Sequence, residues 1–192
     1  MATSNQRGAV TVLLVMDILQ RMMARLPDPS ALLANIGNAI AGARAANIPV
    51  IHVVLGFRAG YPEVNPANKS FGPIMQSGGF FTPDDEAGGI HPAVAPLPSE
   101  IIVVKKRISA FAGNDLDMML RAMHAEHLVL AGYSTSGIVL STVREAADKD
   151  YRITVLSDGC DDLNKETHQF LLTDIFPRQA EVMTAAEWVA SV

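Results

Sequence analysis

Cysteine is almost missing from this chain of 192 residues. The single one, Cys160, excludes an internal disulfide framework and a cysteine-rich metal site. Charge is sparse as well: charged residues are 18% of the chain against 49% hydrophobic, a balance that excludes a disordered tail. The net charge of −5 gives a nucleic acid no electrostatic foothold. Arg21, Arg25 and Arg44 fall at helical intervals and read as a solvated helix face. No stretch reaches the roughly 20 apolar residues needed to cross a bilayer, so no membrane partner is expected. The opening MATSNQRGAV has no apolar run of signal-peptide length, which points to a cytoplasmic protein. His52, His91, His124, His127 and His168 form no HxH or HxxxH pair, and no GxxxxGK[ST] loop is present. Neither a metal nor another cofactor is therefore expected. Repeats and low-complexity linkers are also absent, so residues 1–192 read as one domain with a sizeable core.

What is present is an alternation of strand and helix. Val10 to Met16 is an almost unbroken aliphatic run, the pattern of a strand buried on both faces, and Asp17 ends it. Asp28-Pro29-Ser30 opens a helix that runs to about Ala46 on a stripe of Leu32, Leu33, Ile36, Ile40 and Ala43. Further strands are read at Val50 to Leu55, Ile101 to Val104, Leu128 to Ala131 and Arg152 to Leu156, with a short sixth at Glu181 to Met183. Helices are expected over Leu116 to His124, Thr135 to Lys149, Glu166 to Ile175 and Ala185 to Ala190. The fold class is thus α/β: a three-layer α/β/α sandwich around a mostly parallel sheet of about six strands. Gly56 to Pro98 breaks the rhythm and reads as a covering segment. Its Phe57, Arg58, Tyr61, Phe71, Phe80 and Phe81 would line a pocket or meet a neighbouring subunit.

Ligands of such sheets bind beyond the carboxyl ends of the strands. Three ends carry chemistry. Asp17 closes the first strand, where burial would raise its pKa and fit it for proton transfer; bonding to nearby loop amides is the simpler alternative. Lys105 holds the matching place on the third strand, able to pair with Asp17 or to face water beside Lys106 and Arg107. The turn Tyr133-Ser134-Thr135-Ser136-Gly137 joins an apolar run to a helix start, whose free N–H groups suit an anion or a developing oxyanion.

Together these segments resemble the isochorismatase-like hydrolases, also called the cysteine hydrolase family. The resemblance covers nearly the whole chain. LLVMDILQ is similar to the family's strand ending in aspartate, with Gln20 three residues further on; VVKKRISAF resembles its lysine strand; AGYSTSGIVLSTVREAADKDY resembles its glycine–threonine turn and the following helix. The resemblance implies Asp17 and Lys105 as catalytic residues, a small-molecule substrate, and a homo-oligomer, dimer or tetramer. Cysteine-using members carry the thiol six residues after the glycine matched by Gly132, and that place is Ile138. Cys160 follows a different strand and reads as a packing residue. True isochorismatases also lack the thiol, and are held to protonate a vinyl ether from the strand-one aspartate. The expectation is Asp17-assisted hydrolysis without a cysteine nucleophile, with Gln20 and Arg58 as candidate substrate contacts. The alternatives are a non-catalytic binding or scaffold member of the same fold, and a serine-dependent amidase.

Overall fold

The computed structural model describes residues 10–78 and 80–192. The stretch read as free of a targeting segment, residues 1–9, lies outside them. Strands β1 (Val10–Met16), β2 (Val50–Leu55), β3 (Ile101–Lys105), β4 (Ala125–Tyr133), β5 (Arg152–Asp161) and β6 (Glu181–Met183) form one sheet. The helices are α1 (Gln20–Met23), α2 (Ser30–Ala45), α3 (Gly72–Ser77), α4 (Leu116–Ala122), α5 (Leu140–Asp148), α6 (Lys165–Phe170) and α7 (Ala185–Ala190). The sheet order is β3-β2-β1-β4-β5-β6, and every neighbouring pair is parallel. Strand order reverses between β1 and β4, which places the crevice of the sheet between Asp17 and the turn after Tyr133.

The continuous apolar strands follow from burial on both faces. Leu13, Val15, Val129 and Ala131 point to one side, where Ile36, Ile40 and Trp188 of α2 and α7 cover them. Val12, Leu14, Leu128 and Leu130 point to the other, against Leu116, Leu120, Val143 and Leu171 from α4, α5 and the stretch after α6. The five residues assigned to the α2 stripe are all buried. Asp28 accepts the Ser30 N–H at 2.9 Å and fixes the helix entry.

Several boundaries differ from the sequence reading. Lys105 is the last residue of β3 rather than the residue that stops it. β3 alternates buried and exposed positions, with Val103 and Lys105 inward and Ile102 and Val104 outward; the outward pair are apolar, which hid the alternation. β5 runs on to Asp161 because its pairing with β4 skips: Leu130 faces Val155, but Gly132 faces Cys160. The extra residues form a bulge, and Asp158 within it accepts the Ala185 N–H at 2.7 Å at the start of α7.

The expected role of the aromatic segment is also corrected in part. Phe57, Tyr61, Phe71 and Phe81 bury one another with Leu19 and Leu55 in a small separate core, so they need no neighbouring subunit. Phe57 stands 5.7 Å from Phe71, ring centre to ring centre, edge to face. No described helix is long and apolar enough to cross a membrane.

Candidate active site

Asp17 adopts φ of +54°, a left-handed conformation that aspartate tolerates better than most residues. β1 ends there, and the carboxylate turns sideways under β2. Its Oδ1 accepts the Leu55 N–H at 2.8 Å, and its Oδ2 lies 2.8 Å from Lys105 Nζ. One oxygen thus meets a strand amide, where a loop amide was the simpler expectation, and the other meets the lysine. Lys105 is inward by the pleat of β3 and only 2% exposed; its Nζ also donates to the Arg107 carbonyl at 3.0 Å. A lysine so deeply enclosed requires a partner of opposite charge, and Asp17 is that partner. Burial pushes the Asp17 carboxyl above its ordinary pKa, opposed by the Lys105 ammonium and the Leu55 amide.

Gly132 allows the turn to stand directly over this pair. A Cβ there would lie 2.5 Å from the Met16 carbonyl oxygen, so only glycine lets β4 approach β1 this closely. The peptide between Tyr133 and Ser134 is cis. Thr135 to Val139 then form a wide turn, in which Val139 N–H reaches the Ser134 carbonyl at 3.3 Å, before α5 begins.

The turn is less open to an anion than its sequence suggests. Gly137 N–H donates to the Ser134 carbonyl, and Ser136 N–H donates to Asp162 Oδ2 at 2.8 Å. Ser136 Oγ donates to the same oxygen at 2.6 Å, so the Ser136 hydroxyl anchors the turn to the end of β5. Thr135 is fully buried, and its Oγ1 sits 2.8 Å from His168 Nδ1. The bulge of β5 could not be read from the sequence, so neither contact was foreseen.

A cavity of about 260 Å³ opens above the charged pair. Asp17, Lys105, Tyr133, Ser134, Gly137 and Ile138 line it, while Thr135 and Ser136 do not. Ile138 thus brings an aliphatic wall, 3% exposed, to the place that the resemblance assigns to a thiol. Cys160 is buried in the sheet, where desolvation pushes its pKa up to about 12, and it does not line this cavity. Gln20 lies instead on a neighbouring groove. Arg58 is not brought to the pair at all: its guanidinium is 72% exposed, contacts Glu63 at 2.8 Å and borders another cavity. Sequence reasoning missed Arg25, which lines the cavity from the chain just after α1 and was taken for part of a solvated helix face.

Among the described residues, no three His, Cys, Asp or Glu side chains gather to hold a metal ion. His127 is buried between Thr11 and Thr154, and desolvation lowers its pKa to about 4.

Comparison with known proteins agrees with this architecture. The model of the isochorismatase domain matches residues 11–187. The isochorismatase family protein YecD of Escherichia coli O157:H7 is 27% identical over 183 residues, covering 92% of this chain and 93% of its own. The ureidoacrylate amidohydrolase RutB of Pseudomonas syringae pv. syringae is 31% identical over 181 residues, covering 83% of this chain and 67% of its own. A solved isochorismatase family protein from Burkholderia thailandensis superposes with a TM-score of 0.83 at 27% identity, covering 95% of both chains. The N-carbamoylsarcosine amidase of Thermoplasma acidophilum, at 22% identity and a TM-score of 0.75 over 91% of this chain and 96% of its own, shares the fold.

Proposed function

Because the chain belongs to the isochorismatase family, we propose that it hydrolyses a small molecule by proton transfer from Asp17, with no covalent bond to the enzyme. The observation that carries this reading is the floor and wall of one cavity: a buried carboxyl 2.8 Å from a buried ammonium, beneath an isoleucine where a thiol would attack. Asp17 in its acid form donates a proton to the outer vinylic carbon of an enol ether, which leaves the carbon bonded to the ether oxygen electron-poor. Water adds its oxygen there and returns a proton to Asp17; the resulting hemiketal then breaks its bond to the leaving oxygen, which takes up the remaining hydroxyl proton as the carbonyl forms. Lys105 holds the carboxyl in place and steadies its anionic form between these steps. Burial raises the Asp17 pKa and so favours the acid form that the first step uses.

A vinyl ether is the bond that best suits this chemistry, since protonation alone activates it. Amides and ureas belong in the same test, because RutB relatives are amidohydrolases. The experiment is a panel of vinyl ethers, amides and ureas incubated with the wild-type chain and with Asp17→Asn. Turnover confined to the wild type supports the proposal; turnover by both removes Asp17 from the reaction, and a panel left untouched favours a binding role.

A serine-dependent route has one observation in its favour, the half-buried Ser134 on the cavity wall. Ser136 is not a candidate, since its hydroxyl is committed to Asp162 outside the cavity. Ser136→Ala is accordingly expected to keep wild-type turnover. It should cost about 1–2 kcal/mol of stability in urea denaturation, from the lost bond to a carboxylate. Loss of turnover with unchanged stability would restore Ser136 to the mechanism.

A further inference from the structure

We infer that Arg25 recognises an anionic group on the substrate, and that this substrate is an amphipathic acid whose apolar portion extends into the groove beside the reaction cavity. The inference rests on the proposed function only for the position of the reacting bond, above Asp17 and Lys105.

The first support is where the charges are committed. Four arginines lie towards this end of the sheet, and three are engaged. Arg21 pairs with Asp85 at 2.5 Å while its guanidinium lies 4.2 Å from the centre of the Phe80 ring. Arg58 holds Glu63, and Arg107 donates to the carbonyls of Lys106 and Glu63. The Arg25 guanidinium has no carboxylate or carbonyl partner among the described residues, yet it lines the cavity beside Tyr133 and Ile138. The charged residues lining this cavity are Asp17, Lys105 and Arg25. The one acidic residue on the cavity wall, Asp17, is engaged by Lys105, so no acidic residue there answers the charge of Arg25. An uncommitted guanidinium at the mouth of a partly apolar cavity is suited to a carboxylate, which it can bind through two parallel hydrogen bonds.

The second support is the shape of the space around it. A groove of about 910 Å³ runs between α1 and α3. It shares Met22, Arg25 and Ile74 with the smaller cavity, so the two spaces meet where Arg25 stands. Its walls include Met23, Leu26, Phe80 and Phe81, which favour an alkyl or aryl group. Its other arginine, Arg21, is already neutralised by Asp85 and offers no competing anion site. A molecule reaching from the groove to Lys105 passes Arg25 on the way. The geometry therefore fits one carboxylate near the reacting bond and an apolar tail behind it.

Non-hydrolysable probes separate this inference from the catalytic one. The full wild-type chain is titrated calorimetrically at neutral pH with 4-phenylbutyrate, with its uncharged near-isostere 5-phenylpentan-2-one, and with acetate. The expected result is that 4-phenylbutyrate binds about tenfold more tightly than either other compound. Arg25→Gln should remove the preference for the acid over the ketone and leave ketone binding unchanged, while Arg25→Lys should keep part of it. Arg58→Gln should alter nothing. Arg25 is exposed, and an unchanged melting temperature will show that the variants are folded. The inference is overturned if acid and ketone bind equally, if Arg25→Gln leaves the preference intact, or if no probe binds at millimolar concentration. Equal binding of acetate and 4-phenylbutyrate overturns the part concerning the groove. No proton transfer enters these titrations, so their failure leaves the role of Asp17 standing, and inactivity on the hydrolysis panel leaves the role of Arg25 standing.

Discussion

Asp17→Asn is expected to lower the turnover of any substrate found for this chain by about 10²- to 10⁴-fold, the range of a single acid–base group. Asparagine fits the same space, but it cannot deliver a proton, and its one carbonyl oxygen cannot serve both Leu55 N–H and Lys105 Nζ as the carboxylate does. Stability should be lost with it, about 3–5 kcal/mol, because the buried Lys105 ammonium loses its counter-charge. A thermal melt and far-UV circular dichroism at the assay temperature will separate that loss from the loss of chemistry. The wild-type rate should carry the mark of the same group. In the proposed mechanism the acid form of Asp17 reacts, and burial raises its pKa, so the rate should fall as pH rises through that raised value. A rate that climbs steadily over the same range would point to Asp17 acting as a base.

Lys105→Met should damage stability as much as Asp17→Asn does. It leaves a buried carboxylate without its cation, a loss of about 3–5 kcal/mol when one member of a buried pair is removed. The pH dependence identifies the cause. Lys105 lowers the Asp17 pKa against the upward push of burial, so its removal raises that pKa further. A group with a pKa raised in the folded state contributes its stability below the unfolded value and loses it as pH rises through the folded one. The gap between wild type and Lys105→Met should therefore be small near the unfolded aspartate pKa of about 4 and widen towards pH ~8. Chemical denaturation across that range measures it. The double variant Asp17→Asn with Lys105→Met should recover part of the loss, because no unpaired charge then remains. A gap independent of pH, with no recovery in the double variant, would mean that packing of the lysine stem, not its charge, supports the site.

The aliphatic strands were legible because a parallel sheet buried on both faces leaves a nearly unbroken apolar signature, as in Val10–Met16. Asp17 and Lys105 stood out as charges at the ends of such runs, and the strand order brings their ends together although β2 lies between β1 and β3. The inward direction of Lys105 was present in the pleat, since 101, 103 and 105 share a face, but the outward Ile102 and Val104 masked it. Other features had no local signal. The bulge in β5 shows only in its pairing with β4, and just beyond that strand Asp162 meets Ser136. The short helices α1 and α3 depend on tertiary contacts rather than on a repeated apolar stripe, so α1 went unread and the segment around residues 56 to 98, which holds α3, read as a loop. Arg25 looked like Arg21 in the sequence. What distinguishes them is Asp85, which is distant in the chain and close to Arg21 in space.

The central claim is that hydrolysis in this cavity proceeds without a bond between substrate and enzyme. Rapid chemical quench during turnover of the best substrate from the panel, followed by intact-mass spectrometry of the wild-type chain, tests it directly. The account predicts a single mass, that of the unmodified chain, at every time from the first turnover to the last. A transient heavier species that carries a substrate fragment, and that disappears in Ser134→Ala, would contradict it and transfer the chemistry to a hydroxyl nucleophile.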